Sequence, residues 1–558
     1  MGAPGPSHLG TADATTASST AGPQRRWRAE KGISRGEFAA VLGLSAVASA
    51  VALAWSFGHG AQLNYGDAIA HLHIARRVFD SRFPRISQLG SVWLPLPHLL
   101  MLPFVQVYAW WANGLAGTIP SVLAYLASCA GLYRLARRWL RPQAAALSLI
   151  FFALNPNLLY LQTTGMTEPL FVCETIWVAL WLVEWRASLE GNPARSARLQ
   201  GWIAAALVAA IFTRYDGWVM ALLAWTAMGI VLWRRGRLAS ISFWIGAGAL
   251  AAAPIAWFVY NAVAFGDWLY FARGPYSAKV IELKTATGWP PHPGWHDPWV
   301  ALLFYLKVVE MDAAARAWGN LMLALAAMGT AAGWLLERKQ AITWALLLWL
   351  PVPFYAWSVA YNWVPIFQPE WWPHSWYNTR YGMELLPALA LGLGFAARFI
   401  TGAAREFKPR LAVWAATVLI ALVAVNAYDV LREHPLVYVE GTKNLEARLP
   451  YDEAIPPVLK ALVASRPGAP VLMETSVYPE LVSRTGIPLR QTINESDLGL
   501  YESALAAPAA SAAIVVAFDG DEVDTAVKAH PEGLRTVGRF AAPGQAPGTI
   551  YLSGQYRP

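Results

Sequence analysis

The sequence contains little charge and almost no cysteine. Of its 558 residues, 14% are Asp, Glu, Lys or Arg, whereas 56% are hydrophobic and 29 are Trp. A soluble protein of this length does not carry so much apolar material, so the composition predicts a polytopic membrane protein. The two cysteines, Cys129 and Cys173, lie within apolar runs, and we expect packed thiols rather than a disulfide or a metal pair.

Several common sequence signals are also missing. No basic cluster is interleaved with aromatic residues, which argues against nucleic acid as a partner. No basic stretch opens the chain as in a signal peptide, and Pro6 stands where a myristoylation site has Ser or Thr. Residues 1–24, rich in Gly, Ala, Ser, Thr and Pro, predict disorder. The basic run RRWRAEKGISR before apolar residues 38–57 predicts a retained signal anchor, with cleavage among small residues 45–54 as the alternative.

The apolar spans and the basic residues between them predict a topology. Basic residues cluster in every second connection, and the positive-inside rule makes that side cytoplasmic. The N-terminus is then cytoplasmic and, after about eleven spans, the C-terminus lies outside. The predicted spans are 38–57, 118–139, 143–161, 169–187, 200–213, 217–233, 241–261, 315–336, 341–361, 382–399 and 411–428.

One further apolar segment, residues 97–114, needs a separate interpretation. Counting it as a span would move every later Arg cluster to the outer side. The segment is short and contains Pro97 and Pro103, whereas Trp110 and Trp111 suit a membrane surface. We therefore predict a second interfacial helix here, within a long first outer loop.

The stretch NYGDAIAHLHIARRVFDS, residues 64–81, begins that outer loop. Its apolar and polar residues alternate as in an amphipathic helix that lies on the membrane. Asp67 is an acid close to the predicted membrane surface, where a charge is costly unless it has a use. The alternative role for Asp67 is a helix N-cap, and His71 and His73 are interpreted as interfacial polar residues rather than metal ligands.

The predicted topology places most of the polar chemistry on the outer face. Arg214 and Arg380 run against the positive-inside trend there, and binding of an anion would explain them. Glu168 could instead interact only with a helix dipole, and Arg214 could form a plain surface pair with Asp216. The Trp-rich loop 289–299 suits membrane anchoring and sugar stacking equally.

From about residue 429 the apolar spans stop. Three short apolar runs, PVLMET, AAIVVAFDG and GTIYLSG, alternate with helix-like stretches at 452–464 and 521–530, which predicts a small outer α/β domain. It contains no Gly-rich phosphate loop and no catalytic triad, so binding of a substrate and structural capping are equal alternatives. The predicted domains are a disordered cytoplasmic segment 1–36, a membrane domain 37–428 and the outer domain 429–558.

Four motifs carry a family resemblance: NYGDAIAHLHIARRVFDS, SVWLPLPHLL, QTTGMTEPLF and NTRYGMELLP. Together they resemble the GT-C superfamily of integral-membrane glycosyltransferases, on its family 39-like branch of protein mannosyltransferases and lipid A aminoarabinose transferases. The resemblance covers residues 38–428 and rests on the order and shared outer placement of the motifs. Ala68 follows Asp67 where many members have a second acid, and the WWDYG motif of oligosaccharyltransferase catalytic subunits is absent.

The resemblance implies an all-α polytopic fold of about eleven transmembrane helices with interfacial helices. It also implies inverting transfer of a sugar from a polyprenyl-phosphate donor to a protein, lipid or glycan acceptor. Asp67 is then the general base for the acceptor hydroxyl, and Glu168 orients the acceptor or shares a divalent metal ion with Asp67. The implied donor-phosphate ligands are Arg214, Arg380, Lys279 and Arg273, and the implied substrate contacts are His71, Trp93, His98 and Tyr377.

Two other functions compete with sugar transfer for this multi-pass protein of the cell membrane. A transporter would place ionisable groups near mid-membrane and often shows internal repeats, whereas the acids here lie at one face and no repeat is visible. A non-catalytic scaffold would leave Arg214 and Arg380 scattered rather than convergent.

Overall fold

The computed structural model describes residues 32–285, 292–337, 341–362 and 364–557. Most of the predicted disordered segment 1–36, and residues 289–291 of the Trp-rich loop, lie outside these ranges. Within them, nine helices are long and apolar enough to cross a membrane. The protein is a helical bundle with a small α/β unit at one end.

The membrane part consists of helices joined by mostly short connections. Their bounds are α1 Arg35–His59, α2 Gly66–Arg77, α3 Leu96–Val105, α4 Tyr108–Ala112, α5 Leu115–Ala136, α6 Pro142–Ala153, α7 Pro156–Leu161, α8 Glu168–Ser188, α9 Pro193–Thr213, α10 Asp216–Arg234, α11 Ile241–Phe265, α12 Tyr270–Arg273, α13 Ala278–Thr285, α14 Pro298–Ala313, α15 Gly319–Glu337, α16 Pro351–Tyr361, α17 Leu386–Phe407 and α18 Pro409–Arg432. Shorter 3-10 helices occur at Ala61–Leu63, Ile86–Leu89, Ile342–Trp349 and Thr379–Leu385.

The sequence explains where several helices begin and end. Ser34, Asn155 and Asn192 each accept a hydrogen bond from the backbone N–H three residues on, which caps α1, α7 and α9. Proline follows the cap in α7 and α9, where its missing N–H is not needed. Gly60 ends α1 with a φ of 68°, a backbone angle that glycine adopts without strain.

The nine crossing helices correspond to nine of the predicted spans; of the other two, one is interrupted in the structure and the other is a single helix that contains more charge. The prediction of one helix over 143–161 is wrong, because α6 ends at Ala153 and the capping Asn155 starts α7. The predicted span 169–187 is the 21-residue helix α8. It is more polar than the crossing helices because it contains three buried glutamates, Glu168, Glu174 and Glu184.

Helix α8 joins the two polar ends of the bundle. At its first residue, Glu168 pairs with Arg380, and near its last turn Glu184 pairs with Arg138. We call the end that carries Glu168, together with Asp67 and the C-terminal strands, the capped end. The end that carries Arg138 and Glu184 is the open end.

Helix α2 does not lie on a membrane surface, which corrects the prediction for residues 64–81. Side chains on both faces of α2 are buried, among them Leu72, His71 and His73. The reason is tertiary: the C-terminal unit covers this region, and Arg77 donates a hydrogen bond of 2.7 Å to the Ser496 hydroxyl.

The segment 97–114 is not a crossing helix, as predicted, but it is also not a single interfacial helix. It forms the two short helices α3 and α4, with a break after Val105. Trp110 is 37% exposed, whereas Trp111 is 1% exposed and packs in a core shared with the C-terminal unit. Only one of the two tryptophans is therefore placed as a surface anchor would be.

Helix α17 is the central element of the bundle. Its residues from Leu386 to Ala397 are buried, and small residues bring it against α15. A Cβ atom on Gly329 would collide with the backbone of Gly392, and one on Gly392 would collide with the carbonyl of Ala326. Such backbone-to-backbone contact is typical of packed membrane helices, and it fixes the segment Thr379–Leu385 just before α17.

The C-terminal unit is a mixed five-stranded sheet with helices, which confirms the predicted small α/β domain. The strand order is β2-β1-β3-β5-β4, with β1 parallel to β2 and β3, and β5 antiparallel to β3 and β4. The predicted runs PVLMET, AAIVVAFDG and GTIYLSG contain β1, β3 and β5. The bounds are α19 Leu436–Ser465, β1 Val471–Met473, α20 Glu480–Thr485, β2 Thr492–Ile493, α21 Gly499–Ala506, α22 Pro508–Ser511, β3 Ile514–Phe518, α23 Glu522–Ala529, β4 Leu534–Phe540 and β5 Gly548–Ser553, with 3-10 turns at Leu489–Gln491 and Glu495–Asp497.

Candidate functional site

Two arginines and five acids converge at the capped end, and we call this group the ion cluster. Arg214 and Arg380 are almost buried, with 15% and 8% of their side chains exposed. Four of the acids are buried, but the side chain of Asp67 is 43% exposed. The acids are Asp67, Glu168, Asp216, Glu384 and Glu440.

Arg380 uses three of its nitrogens to hold three carboxylates. Its Nη2 donates to Asp67 Oδ2 at 2.8 Å, its Nε to Glu168 Oε1 at 3.0 Å and its Nη1 to Glu440 Oε1 at 3.1 Å. The planar guanidinium fixes the direction of each bond. Asp67 and Glu168, far apart in sequence, are thus brought to neighbouring nitrogens of one arginine.

Arg214 holds the second half of the cluster. It pairs with Glu168 and Asp216 at 3.2 Å each and with Glu384 at 3.1 Å. Tyr355 accepts from Arg214 at 2.9 Å and donates to Glu384 at 2.7 Å. Glu168 therefore contacts both arginines and links the two halves of the cluster. The surface pair of Arg214 with Asp216, considered from sequence, is in fact part of a buried network.

Helix starts position three of the acids. Asp67 lies in the first turn of α2, Glu168 is the first residue of α8, and Asp216 is the first residue of α10. The positive end of each helix dipole favours an acid there. Asp67 is not an N-cap, because Tyr65 occupies the cap position of α2 and no side chain caps it. The carboxylate of Asp67 points instead to Arg380.

Glu440 of α19 ties the C-terminal chain to the segment that carries Arg380. Besides Arg380, it accepts hydrogen bonds from the backbone N–H of Asn378 at 2.8 Å and of Thr379 at 3.1 Å. The hydroxyls of Thr379 and Tyr65 also donate to it, at 2.6 Å and 3.1 Å. One buried carboxylate thus satisfies five donors around the cluster.

Three of the predicted substrate contacts lie together beside the cluster. His71 and His98 are joined by a ring-nitrogen hydrogen bond of 2.8 Å, and the Trp93 ring lies 4.3 Å from that of His71. Burial lowers the pKa of His71 to about 4 and that of His98 well below its ordinary value. Both histidines are therefore neutral at pH 7, and His71 lies one helical turn after Asp67 on the same face of α2.

The remaining predicted contacts fall into two groups, according to whether they lie near the ion cluster. Tyr377 is 43% exposed, packs against Phe367 and lies within electrostatic reach of Asp67. Arg273 and Lys279 are exposed, and Arg273 pairs with Asp267 at 3.8 Å. Among the described residues, no hydrogen bond or ion pair joins either of these two predicted phosphate ligands to the ion cluster. The structure does not bring them to Arg214 and Arg380.

The geometry does not fit a metal ion shared by Asp67 and Glu168. One positive group, the guanidinium of Arg380, already donates to both carboxylates. A divalent cation would have to replace that positive group or lie against it. In the described ranges, no group of three or more His, Cys, Asp or Glu residues is arranged to hold a metal.

Sequence reasoning missed two acids of the ion cluster, Glu384 and Glu440, and also Tyr355, which hydrogen-bonds to the cluster. Glu384 lies four residues after Arg380 in the motif NTRYGMELLP, so helical spacing could have suggested it. Tyr355 lies in an apolar span with no distinguishing neighbour. Glu440 lies in a segment assigned to a separate outer domain, and no local signal connects it to Arg380.

An apolar crevice borders the cluster on the side of Arg214. It lies between α8, α10 and α16, and Asp216 and Glu384 form its polar edge. Its apolar lining includes Phe171, Val172, Met220, Leu350, Pro351 and Phe354. Its volume is about 10 Å³, so it is too narrow to hold a hydrocarbon chain unless the three helices move apart.

Comparisons with known proteins identify the fold. No family model matches the chain, and no curated protein matches its sequence. Among solved structures, apo ArnT from Cupriavidus metallidurans has a TM-score of 0.57 at 16% identity and covers 93% of this chain and 100% of that one. ArnT bound to undecaprenyl phosphate has a TM-score of 0.53 at 14% identity, with 94% and 99% covered. An oligosaccharyltransferase from Archaeoglobus fulgidus gives 0.46 at 12% identity, with 91% and 72% covered.

At these identities the likeness establishes the fold and leaves the reaction to the site itself. The likeness to ArnT spans both the membrane helices and the C-terminal unit, since it covers all of that protein. It agrees with the family resemblance of the sequence motifs. This chain has the GT-C fold.

Proposed function

We propose that this protein transfers a sugar from a polyprenyl-phosphate donor to an acceptor hydroxyl at the capped end of the membrane bundle. The observation that carries the proposal is the state of Asp67. It is the one acid of the ion cluster whose side chain is half-exposed rather than buried, and buried Arg380 holds one of its oxygens at 2.8 Å. An oriented carboxylate with an accessible oxygen is suited to act as a general base.

The reaction follows from this geometry. The accessible oxygen of Asp67 takes the proton of the acceptor hydroxyl while the hydroxyl oxygen attacks the anomeric carbon of the donor sugar. The bond from that carbon to the phosphate oxygen breaks, and its electron pair leaves with the polyprenyl phosphate. Attack from the face opposite the phosphate inverts the anomeric configuration. Arg380 and Glu168 keep Asp67 oriented, which removes a search over side-chain conformations.

The proposed route for the polyprenyl chain is the apolar crevice, which must widen for the chain to enter because its volume is about 10 Å³. It ends at Asp216 and Glu384, both of which pair with Arg214, so a phosphate at its mouth would lie near Arg214. The likeness to ArnT bound to undecaprenyl phosphate supports a lipid of this class. Because acids already pair with Arg214, a phosphate that binds it must displace Asp216 or Glu384. In this proposal Arg273 and Lys279 bind the phosphate only if their loop moves toward Arg214.

The observations favour this function over the two alternatives. A transporter would place ionisable groups near mid-membrane, whereas the ion cluster lies at one end of α8 and α17. A scaffold would leave Arg214 and Arg380 apart, but both contact Glu168. The proposed placement is in the cell membrane, with the N-terminus cytoplasmic and the capped end outside. An assay with a panel of polyprenyl-phosphate sugars identifies which sugar and which acceptor the protein uses.

Replacing Asp67 with Asn tests the proposal. The variant loses the base and keeps a polar group of the same shape, so we expect sugar transfer to fall by about 100-fold or more. The purified protein in lipid nanodiscs is assayed for donor consumption, and folding is checked by its thermal midpoint. Asp267→Asn is the matched control, because Asp267 lies outside the cluster and pairs with Arg273. Full activity in a folded Asp67→Asn variant would exclude Asp67 as the base.

A further inference from the structure

A cavity of about 400 Å³ lies on the side of α2 that faces away from the ion cluster. Ile69 and His73 of α2 line it. Successive helix residues are turned by about 100°, so Asp67 and His71 share one face of α2 and Ile69 and His73 lie on the other. The cavity and the proposed active site are thus separated by the thickness of one helix.

The cavity has the size and character of a ligand site. Its volume falls within the range of about 300–1,000 Å³ typical of small-molecule pockets, which are mostly apolar with a few polar groups. Leucines from three elements form its apolar walls: Leu63, Leu72, Leu445 and Leu449. Its polar margin is formed by three residues of α20: Glu480, Ser483 and Arg484.

Two buried polar atoms in the cavity wall have no protein partner. Trp111 and His73 both line the cavity, at 1% and 5% exposure, and their rings lie 5.1 Å apart. Within the described ranges, neither Trp111 Nε1 nor His73 Nε2 has a hydrogen-bond partner. An indole N–H can only donate, and leaving such a group unpaired is unfavourable. Both nitrogens are covered in this structure, so an oxygen acceptor in the cavity bonds to Trp111 Nε1 once the indole edge turns toward it.

The chemistry of the missing acceptor is constrained. Burial lowers the pKa of His73 to about 3, with the charges of Arg77 and Arg76 adding to the effect. His73 is therefore neutral, and Trp111 is always neutral, so neither atom attracts an anion by its charge. An ester, ether or hydroxyl oxygen fits both groups.

The location of the cavity indicates where its ligand comes from. His59 and Gly60, at the end of the crossing helix α1, form part of its lining. Tyr108 and Trp110 of the adjacent α4 are exposed, at 40% and 37%, as aromatic residues at a membrane surface commonly are. The cavity therefore lies beside the end of a helix long enough to cross a membrane and next to exposed aromatic side chains.

We propose that this cavity binds an amphiphilic lipid, with an acyl chain against the leucines and an uncharged ester or hydroxyl oxygen accepting from Trp111 Nε1. Two sources share this chemistry: a glycerolipid of the surrounding bilayer and a lipid acceptor of the proposed reaction. Only the second source rests on the proposed function.

Photo-crosslinking of the full-length protein tests the site. The probe is a phosphatidylethanolamine with a diazirine in one acyl chain, incorporated into nanodiscs of the unlabelled lipid. Peptide mass spectrometry is expected to find adducts on α2, α4 and α19, at least about 5-fold above those on exposed membrane positions such as Val259 and Val263. Equal labelling of all bilayer-facing positions, with none enriched at the cavity, would overturn the proposal.

Two variants and a control make the test specific. Leu449→Trp fills the cavity, and Trp111→Phe removes the donor while keeping an aromatic ring; each is expected to reduce the cavity adducts by about 5-fold. Ala454→Trp adds the same bulk at an exposed position of α19 and should leave them unchanged. If Leu449→Trp does not fold, the test of the cavity rests on Trp111→Phe. Unchanged adducts in a folded Trp111→Phe variant would contradict the assignment of Trp111 as the hydrogen-bond donor.

Kinetics distinguish the two sources. If the occupant is the acceptor, Leu449→Trp raises the KM for a lipid acceptor and leaves the KM for the donor unchanged. If the occupant is a bilayer lipid, both KM values are unchanged, and removal of lipid lowers the thermal midpoint of the parent more than that of Leu449→Trp. Absence of any sugar transfer, with cavity labelling retained, would count against the proposed function and not against this site.

Discussion

The acids of the ion cluster divide into two kinds by their exposure. A buried arginine is costly unless it is paired, and removing one partner of a buried pair destabilises a protein by about 3–5 kcal/mol. Glu168 and Glu440 are buried partners of Arg380, whereas Asp67 pairs with it while remaining 43% exposed. The buried acids are thus needed to hold the arginines, and Asp67 is the acid left to meet a substrate.

Glu440 provides a test of that division. In Glu440→Gln, one amide oxygen must replace two carboxylate oxygens that serve Arg380, Thr379 and Tyr65. Arg380 loses its charged partner and shifts, and Asp67 shifts with it. Because misplacement of a reacting group by about 1 Å can cost on the order of 100-fold in rate, we expect kcat to fall by about that factor with little change in donor KM.

The measurement is steady-state kinetics of the purified variant with a donor that the parent consumes. Glu446→Gln is the matched control, since Glu446 lies on the same helix but is 55% exposed and pairs only with Lys443. Glu440→Asp should recover part of the lost kcat, because it restores the charge. An unaltered kcat in a folded Glu440→Gln variant would show that Arg380 does not depend on Glu440.

Sequence alone identified the residues of the cluster that stand in motifs or against a topological trend. Asp67 and Glu168 were predicted from motifs, and Arg214 and Arg380 from positive charge on the outer side. The same charge criterion also selected Arg273 and Lys279, which the structure leaves exposed. The sign of a charge and the side of the membrane on which it lies do not give the distance between two residues. Such reasoning therefore cannot distinguish arginines that converge on one site from arginines that are scattered.

At the level of elements, hydropathy predicted the positions of the crossing helices but not their interruptions or covering. It joined α6 and α7 into one span because both are apolar, although Asn155 and Pro156 start a new helix there. It placed α2 on a membrane surface because its residues alternate, although a second unit buries its polar face. Periodicity shows that a face is amphipathic and does not show what covers it.

The loops after β1 and β2 meet through an acid whose titration should be visible in stability. Glu495 accepts from the N–H and hydroxyl of Thr475 at 2.9 Å and 2.8 Å. Burial raises the pKa of Glu495 from its ordinary 4.5 to about 7, and the charge of Glu474 adds to the effect. The folded protein therefore holds this proton more tightly than the unfolded chain, and stability from it is lost as pH rises from 4.5 through 7.

We expect Glu495→Gln to remove this loss, because glutamine carries no titrating proton. The thermal midpoint of the variant minus that of the parent should increase between pH 4.5 and pH 8 and then level off. Thermal unfolding of the full-length protein across that range measures it, with exposed Glu502→Gln on α21 as the control. A difference that does not depend on pH would mean that Glu495 titrates in its ordinary range.

For the whole molecule, the C-terminal unit completes the membrane bundle instead of standing apart from it. Glu440 enters the ion cluster, Arg77 donates to Ser496, and the lipid cavity has walls from both parts. Composition changes near residue 429 and therefore suggested a separate domain. A change of composition marks where the solvent changes, whereas contacts made in the fold decide which parts act together.

The orientation of the whole molecule is the remaining prediction, and charge at the open end supports it. There Arg134, Arg138 and Arg195 surround Glu184, an excess of positive charge that the positive-inside rule assigns to the cytoplasm. Gly191, in the same region, is exposed, as is Gln555, which follows β5 in the C-terminal unit. A cysteine at position 555 is then expected outside and a cysteine at position 191 inside.

Labelling of intact cells with a membrane-impermeant maleimide checks both positions. Gln555→Cys should be labelled before permeabilisation, and Gly191→Cys only after it. The parent serves as the background, because Cys129 is buried and Cys173 half-buried within the bundle. The reverse pattern would place the ion cluster in the cytoplasm, where Asp67 would face cytoplasmic acceptors. The expected pattern places Asp67, and the proton removal proposed for it, on the same side of the membrane as the exposed face of the C-terminal unit.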